Sequence, residues 1–206
     1  MLFRSVSQSR YGSGSCIMIS AYNSASRNCT VRSLQIINSS TGTNGIHIYG
    51  RGSIDINDWH KIHNVRIANF TTQLRITGRT IWSSFVNVEL YGGTNGLIAE
   101  YGDAGTMSFN ANHFINLRCS SATKEGMKVY SSKTCSWVTC NFENCNTSNT
   151  NAVAAVYMEN SESAVFDNCY LENNGASCTN TKATPSVCSY GYQFAGTYHH
   201  SKIYVL

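Results

Sequence analysis

Proline is nearly absent: Pro185 is the only one in 206 residues. Charge is scarce as well. Only 13% of side chains are charged, and 15 basic against 11 acidic residues leave a net charge of +4. An excess this weak and scattered excludes a nucleic-acid-binding protein built on a basic surface. The low charge also argues against a charge-rich helical protein. No apolar run approaches the ~20 residues of a membrane-spanning helix, so no membrane insertion is expected. The segment Met1-Leu2-Phe3-Arg4-Ser5-Val6-Ser7 lacks the apolar core and cleavage site of a secretory signal peptide. No Cys-x-x-Cys pair occurs among the nine cysteines, which removes zinc ribbons and thioredoxin-like motifs. No Ser-His-Asp order, phosphate loop or dinucleotide motif stands out. Asp55-Ile56-Asn57-Asp58-Trp59-His60, followed by His63, holds metal-ligand types in no EF-hand or zinc spacing and reads as a solvated turn. No cofactor or metal is expected.

What the chain does have is Ser, Thr and Asn, about a third of its residues, with 16 glycines and 42% hydrophobic side chains. The first three favour turns and local bonding to backbone over helix interiors. The apolar fraction is well above that of a disordered chain. A folded, turn-rich β protein is implied.

The apolar residues recur in register. A pattern of apolar, two residues, apolar, one residue, apolar appears at Val31-Leu34-Ile36, Ile62-Val65-Ile67, Phe85-Val88-Leu90, Phe114-Leu117-Cys119, Trp137-Cys140-Phe142 and Phe166-Cys169-Leu171. Its middle positions lie 31, 23, 29, 23 and 29 residues apart. A second strand follows each: Ile46-His47-Ile48, Leu74-Arg75-Ile76, Leu97-Ile98-Ala99, Met127-Lys128-Val129, Val156-Tyr157-Met158 and Tyr192-Gln193-Phe194. Polar residues keep step, with Ser33, Asn64, Asn87, Asn116, Thr139 and Asn168 before the middle apolar position. Asn tolerates left-handed backbone, and stacked on itself it gives an amide ladder. Each repeat is too short to bury its apolar face alone, so the repeats must stack, ~4.8 Å apart. The expected fold is all-β: a parallel β-helix of about seven coils, with a partial first turn at Cys16-Ile17-Met18-Ile19.

The F-x-x-C-x-L-E-N-N run at 166–174 and the G-I-H-I-x-G run at 45–50 resemble the right-handed parallel β-helix, pectate-lyase-like superfamily. Its members include plant-polysaccharide lyases, polygalacturonases and bacteriophage tailspikes. The resemblance covers about residues 16–196, with 1–15 as a lead-in and 197–206 as a C-terminal strand or the start of the next coil. The matched residues are core and turn positions, and no catalytic signature is shared. The chain looks most like a bacteriophage tailspike segment. That likeness implies a virion protein (a secreted one is the alternative) that recognises bacterial surface polysaccharide as a homotrimer or beside an adjoining virion domain. A polysaccharide-degrading hydrolase or lyase on the same fold is the second reading, and a structural spacer the third. The apolar end Lys202-Ile203-Tyr204-Val205-Leu206 offers no polar cap, so an open solenoid edge is expected there.

Candidate site residues follow from the register. The outward column of the second strands carries His47/Tyr49, Arg75/Thr77, Ile98/Glu100, Lys128/Tyr130 and Tyr157/Glu159, with Asp103, Lys133 and Glu162 just beyond. Carboxylates and aromatic faces are what a sugar site needs. Glu100 and Glu159 are the candidate acid and base, two coils or roughly 9.6 Å apart, at the wide edge of an inverting pair. Tyr130 and Tyr157 would stack sugars, with Lys128, Lys133, Asp103 and Glu162 around them. The plain alternative is a solvated face of alternating charge. Glu143 and Glu172, one coil or about 4.8 Å apart, form a second pair suited to a retaining mechanism. They lie at the base of the longer connections at 146–152 and 174–189. Trp59 and Trp82 could stack on neighbouring coils as a sugar platform, with core or arc packing as the favoured reading. Cys140 and Cys169 read as stacked buried thiols, and Cys178 and Cys188 as a possible pair.

Overall fold

A computed structural model describes residues 14–21, 25–38, 42–50, 55–101, 108–146, 155–172, 174 and 192–205; for 108, 159–162 and 192–205 only the backbone course is described. Among the described residues there is no helix, and so none able to cross a membrane.

The strands come in sets. The first set is β1 (Ser15–Ala21), β2 (Ala25–Arg27) and β3 (Thr30–Ile37). The second is β4 (Asn44–Gly50), β5 (Ile56–Asp58) and β6 (Lys61–Ala68). The third is β7 (Thr72–Thr77), β8 (Arg79–Ile81) and β9 (Ser84–Tyr91). The fourth is β10 (Asn95–Glu100), β11 (Ser108–Asn110) and β12 (His113–Ser120). In the fifth, β13 (Met127–Tyr130) and β14 (Ser132–Lys133) precede a third strand split into β15 (Ser136–Val138) and β16 (Asn141–Glu143). The sixth is one long strand, β17 (Val156–Glu172), and β18 (Tyr192–Val205) ends the order.

Equivalent strands of successive sets pair in parallel, giving three ladders. The first runs β1–β4–β7–β10–β13–β17 and the second β2–β5–β8–β11–β14–β17. The third runs β3–β6–β9–β12, then β15 and β16, then β17. The fold is thus all-β with stacked parallel sheets, compatible with a parallel β-solenoid. Each set is one rung.

The apolar register expected from sequence is the register found. Val31 pairs with Ile62, Leu34 with Val65 and Ile36 with Ile67; Phe85 pairs with Phe114 and Leu90 with Cys119. Along one column Phe85, Phe114, Trp137 and Phe166 stack at centroid spacings of 4.4, 5.6 and 4.9 Å, all within 14° of parallel. Each ring is buried and contributes roughly 1.5–3 kcal/mol by burial, and each stacked pair a further ~0.5–1.5 kcal/mol. Leu34 departs from the expected core. It is 40% exposed: among the described residues β3 has a parallel neighbour on one side only.

Left-handed residues make the bends. Ser33, Asn64, Asn87, Asn116, Thr139 and Asn168 all have φ between 49° and 55°, and they kink the third-ladder strands. The amide ladder is present: Asn116 Nδ2 donates to Asn87 Oδ1 and Asn87 Nδ2 to Asn64 Oδ1, each at 2.9 Å. A second such column, which the sequence did not reveal, turns the chain from second to third ladder: Asn28, Trp59, Trp82, Ala111, Thr134 and Ser163, with φ from 49° to 59°. Gly78 (φ 77°) turns from first to second ladder where a Cβ would run into the Gly50 carbonyl, so only glycine fits.

Just inside the second column the interior is polar. The backbone N–H of Cys29 donates to His60 Nδ1 at 3.2 Å, that of His60 to Ser83 Oγ at 3.1 Å, and that of Ser83 to Asn112 Oδ1 at 2.9 Å. Each rung's turn is thus satisfied by the next rung's side chain, as buried amides require. The expected solvated turn at 55–60 is therefore corrected: Asp55, Asn57, Asp58 and His60 are all buried, because Asn57 lies inward on a ladder and His60 caps a turn.

One strand reverses. β18 runs antiparallel along β17, with Tyr192 opposite Leu171 and Val205 opposite Val156. Tyr192-Gln193-Phe194 is therefore not the second strand of a further parallel repeat, and 197–205 does not begin another coil. The edge of β17 is thereby paired, and β18 is the outer strand.

Candidate functional site

The outward face of the first ladder assembles as its alternation requires. His47 pairs with Arg75, Arg75 with Ile98, Ile98 with Lys128 and Lys128 with Tyr157. Two residues on, Tyr49 pairs with Thr77, Thr77 with Glu100, and Tyr130 with Glu159.

Lys128 is the centre of a cation–aromatic cluster. Its Nζ lies 5.5 Å from the Tyr130 ring centroid and 5.8 Å from that of Tyr157, within cation–π range. The Tyr130 ring meets Tyr157 edge-on at 5.9 Å and Tyr101 at 5.9 Å. Tyr101 in turn shares a 2.8 Å hydroxyl bond with Ser131 Oγ. Glu125, buried, sits 3.8 Å from Lys128 Nζ. Burial is the largest influence on Lys128 and works against its charge, but the Tyr130 hydroxyl and the Glu125 and Glu100 carboxylates together hold its pKa above the ordinary value. Tyr157 is only 6% exposed, so Tyr130, half-buried, is the more accessible ring.

The carboxylates are already engaged. Arg75 Nε donates to Glu100 Oε1 at 2.6 Å, and its Nη2 reaches the same oxygen. Glu143 and Glu172 are paired in register as expected. Glu143 Oε2 takes a 2.9 Å bond from Arg118, and its Oε1 a 2.5 Å bond from Asn141 Nδ2. Glu172 bonds the Tyr170 hydroxyl, whose pKa is raised by desolvation and by the Glu172 and Glu143 charges. Glu159 lies beside Tyr130 by backbone register.

The remaining expected members are divided. Lys133 and Glu162 pair with each other on the second ladder, past the left-handed turn at Ser131 (φ 50°) and away from Lys128. Asp103 lies outside the described residues, as do Cys178 and Cys188 and most of both long connections. Cys140 and Cys169 are buried free thiols. Cys140 Sγ donates to Phe114 O and Cys169 Sγ to Trp137 O, at 3.6 and 3.3 Å. Among the described residues no group of three or more His, Cys, Asp or Glu is placed to hold a metal.

Two features were misread or missed. Trp59 and Trp82 are not core: they are 50% and 51% exposed and contact each other at 5.2 Å and 31°. A bulky residue in left-handed backbone costs about 1–3 kcal/mol, and one ring pair returns only ~0.5–1.5 kcal/mol. Half of each indole is left in water, so the position forgoes much of the burial that would offset this strain. The sequence signal was their shared offset of three residues before the apolar motif. The second feature is Arg75, which stands one rung from Glu100 in the neighbouring column of the same face, so only the register reveals the diagonal pair. A shallow groove of about 390 Å³ lies elsewhere, on the third ladder, between the amide ladder at Ser33, Asn64 and Asn87 and the Arg66–Glu89 ion pair.

Compared with known proteins, the chain matches no family model, no curated protein and no solved structure.

Proposed function

We propose that the three ladders wind into a right-handed parallel β-helix of the pectate-lyase-like kind, in which the rungs are successive coils. The repeated order of first, second and third ladder, each return being parallel, supports this reading, since parallel crossovers are overwhelmingly right-handed. On that frame the chain acts as a tailspike-like host-attachment module that recognises bacterial surface polysaccharide. The observation that carries this is the Lys128–Tyr130–Tyr157–Tyr101 cluster: aromatic rings and a held cation on one outward face, flanked by hydrogen-bonding groups. Rings supply an apolar plane for a pyranose, and the ammonium suits an acidic glycan.

Binding is favoured over cleavage, because the Glu100 and Glu143 oxygens are occupied by Arg75 and Arg118. The virion location and the homotrimer come from the tailspike resemblance. A panel of capsular and O-antigen polysaccharides tests the reading: the chain should retain at least one without shortening it, and Tyr130→Ala should weaken retention by about 1 kcal/mol, roughly fivefold. Shortened product would transfer the reading to a depolymerase. Light scattering should give three times the 22.6 kDa chain mass.

A further inference from the structure

The corner that carries Trp59 and Trp82 has a step in it. The corner residues stack rung upon rung through backbone bonds: Trp59 N–H donates to Ile81 O at 3.2 Å, Trp82 N–H to Asn110 O at 3.1 Å and Ala111 N–H to Lys133 O at 2.9 Å. The side chains along this line are Asn28, then two indoles, then the methyl of Ala111, then Thr134. On one side the Trp82 ring meets Trp59. On the other, the next rung offers only Ala111, and Trp82 remains half exposed. The chain entering and leaving the step carries hydrogen-bonding groups close to the corner in sequence. Thr134 Oγ1 donates to Asn110 Oδ1 at 2.7 Å on the second-ladder side. On the third-ladder side His63 Nε2 and Ser84 Oγ share a 2.8 Å bond, and so do His113 Nδ1 and Ser136 Oγ. Ser84 and His113 are register partners, one rung apart.

We propose that this step is a second glycan subsite, in which a pyranose ring stacks on Trp82 above Ala111. The chemistry selects a sugar over an apolar partner. A single ring face with a floor one methyl wide is too small for a protein hot spot, and its rim consists of amide, hydroxyl and imidazole groups, which pair with sugar hydroxyls. The backbone adds an independent pointer. Four other rungs fill the same left-handed position with Asn, Ala, Thr or Ser, residues that are small or bond locally. Two adjacent rungs instead hold bulky rings there and expose them, a strain of the kind found at ligand sites.

The inference rests on the glycan-binding reading, and one experiment separates the two. Full-length protein is titrated with the same capsular and O-antigen panel, following binding together with tryptophan emission. Trp137 is buried, so a ligand-dependent change in emission reports Trp59 and Trp82. For a bound polysaccharide, Trp82→Asn should lower affinity tenfold or more while leaving the melting temperature at or above that of the parent. Ala111→Phe, which fills the step and keeps both indoles, should lower it similarly. Affinity unchanged in both variants, but reduced by Tyr130→Ala, overturns the Trp82 subsite and leaves the first-ladder reading standing. Affinity reduced by the Trp82 and Ala111 changes but not by Tyr130→Ala supports the subsite and removes the first-ladder face. A parent that binds none of the panel overturns both. If Trp82→Asn melts well below the parent, the indole is a structural part, and Ala111→Phe alone decides the binding question.

Discussion

Of the columns of left-handed residues that run along the stack, two are filled in opposite ways. The bend within the third ladder is Asn at four rungs and Ser or Thr at the other two. Its amides bond to one another, and the residues just inside it are Val65, Val88, Leu117 and Cys140, all buried. The corner between second and third ladders is mixed, holds two exposed indoles, and backs onto polar side chains, His60, Ser83 and Asn112. The same backbone conformation thus serves stability at one bend and is available for recognition at the other. What differs is whether the bend's side chains bond along their own column or stand before an interior column that bonds the turns.

The interior sets the scale for testing this contrast. Phe114→Ala, which removes a ring stacked on both sides, should cost about 3–5 kcal/mol in a denaturant titration. A cost near 1 kcal/mol would mean that the aromatic column is not the common support of both bends.

Acid should then distinguish the bends. Burial lowers the His60 pKa from 6.5 to about 4, with Asp58 opposing. Burial and the Arg75 charge do the same to His47, which shares a 3.0 Å bond with Thr77. Both folded-state values are depressed, so the unfolded chain takes up protons that the folded chain refuses. Stability is whole above pH 6.5 and falls as the pH drops toward about 4, by up to about 3 kcal/mol per histidine. His60→Ser should remove roughly half of that dependence, whereas changes at the amide bend should leave the acid limb unchanged. An acid limb untouched by His60→Ser would erase this difference.

A smaller effect belongs to the amide bend itself. Asn87 donates one ladder bond and accepts another. Asn87→Ala loses both and places a less tolerant residue at φ 51°, a cost of about 2 kcal/mol by melting or denaturant. Asn87→Gly keeps the turn and should cost less.

The smallest effect has the opposite sign. Trp82→Asn relieves a strained position and loses one ring contact, so it should be neutral or stabilising by up to ~1 kcal/mol. A loss above 2 kcal/mol would place both bends in the same structural class.

The sequence disclosed the fold more fully than the site, for a physical reason. Inward residues answer to a shared interior, so Ile62, Phe85, Phe114, Trp137 and Phe166 keep step across rungs of unequal length. The Asn column was legible because its residue type suits its backbone. The second column escaped notice because Trp59, Trp82, Ala111 and Thr134 have no chemistry in common and are united only by φ. Leu34 was misplaced because periodicity assigns a direction and not a neighbour. The carboxylates were found correctly in register, yet Glu100 and Glu143 turned out to be bonded diagonally to Arg75 and to Arg118, and a column read one rung at a time does not expose diagonals. The reversal of β18 left no mark, since alternation reads alike in either direction.

That reversal bears on how such a chain avoids polymerising. A rung with a free parallel edge is a template on which another copy of the chain can add, end to end, without limit. Antiparallel pairing replaces evenly spaced, slanted bonds with alternating narrow and wide pairs. β18 lies along β17 from Leu171 back to Val156, so the edge of β17 is filled and a newcomer would meet β18 instead. Direct continuation of the parallel ladders on β17 would have to begin by displacing that strand.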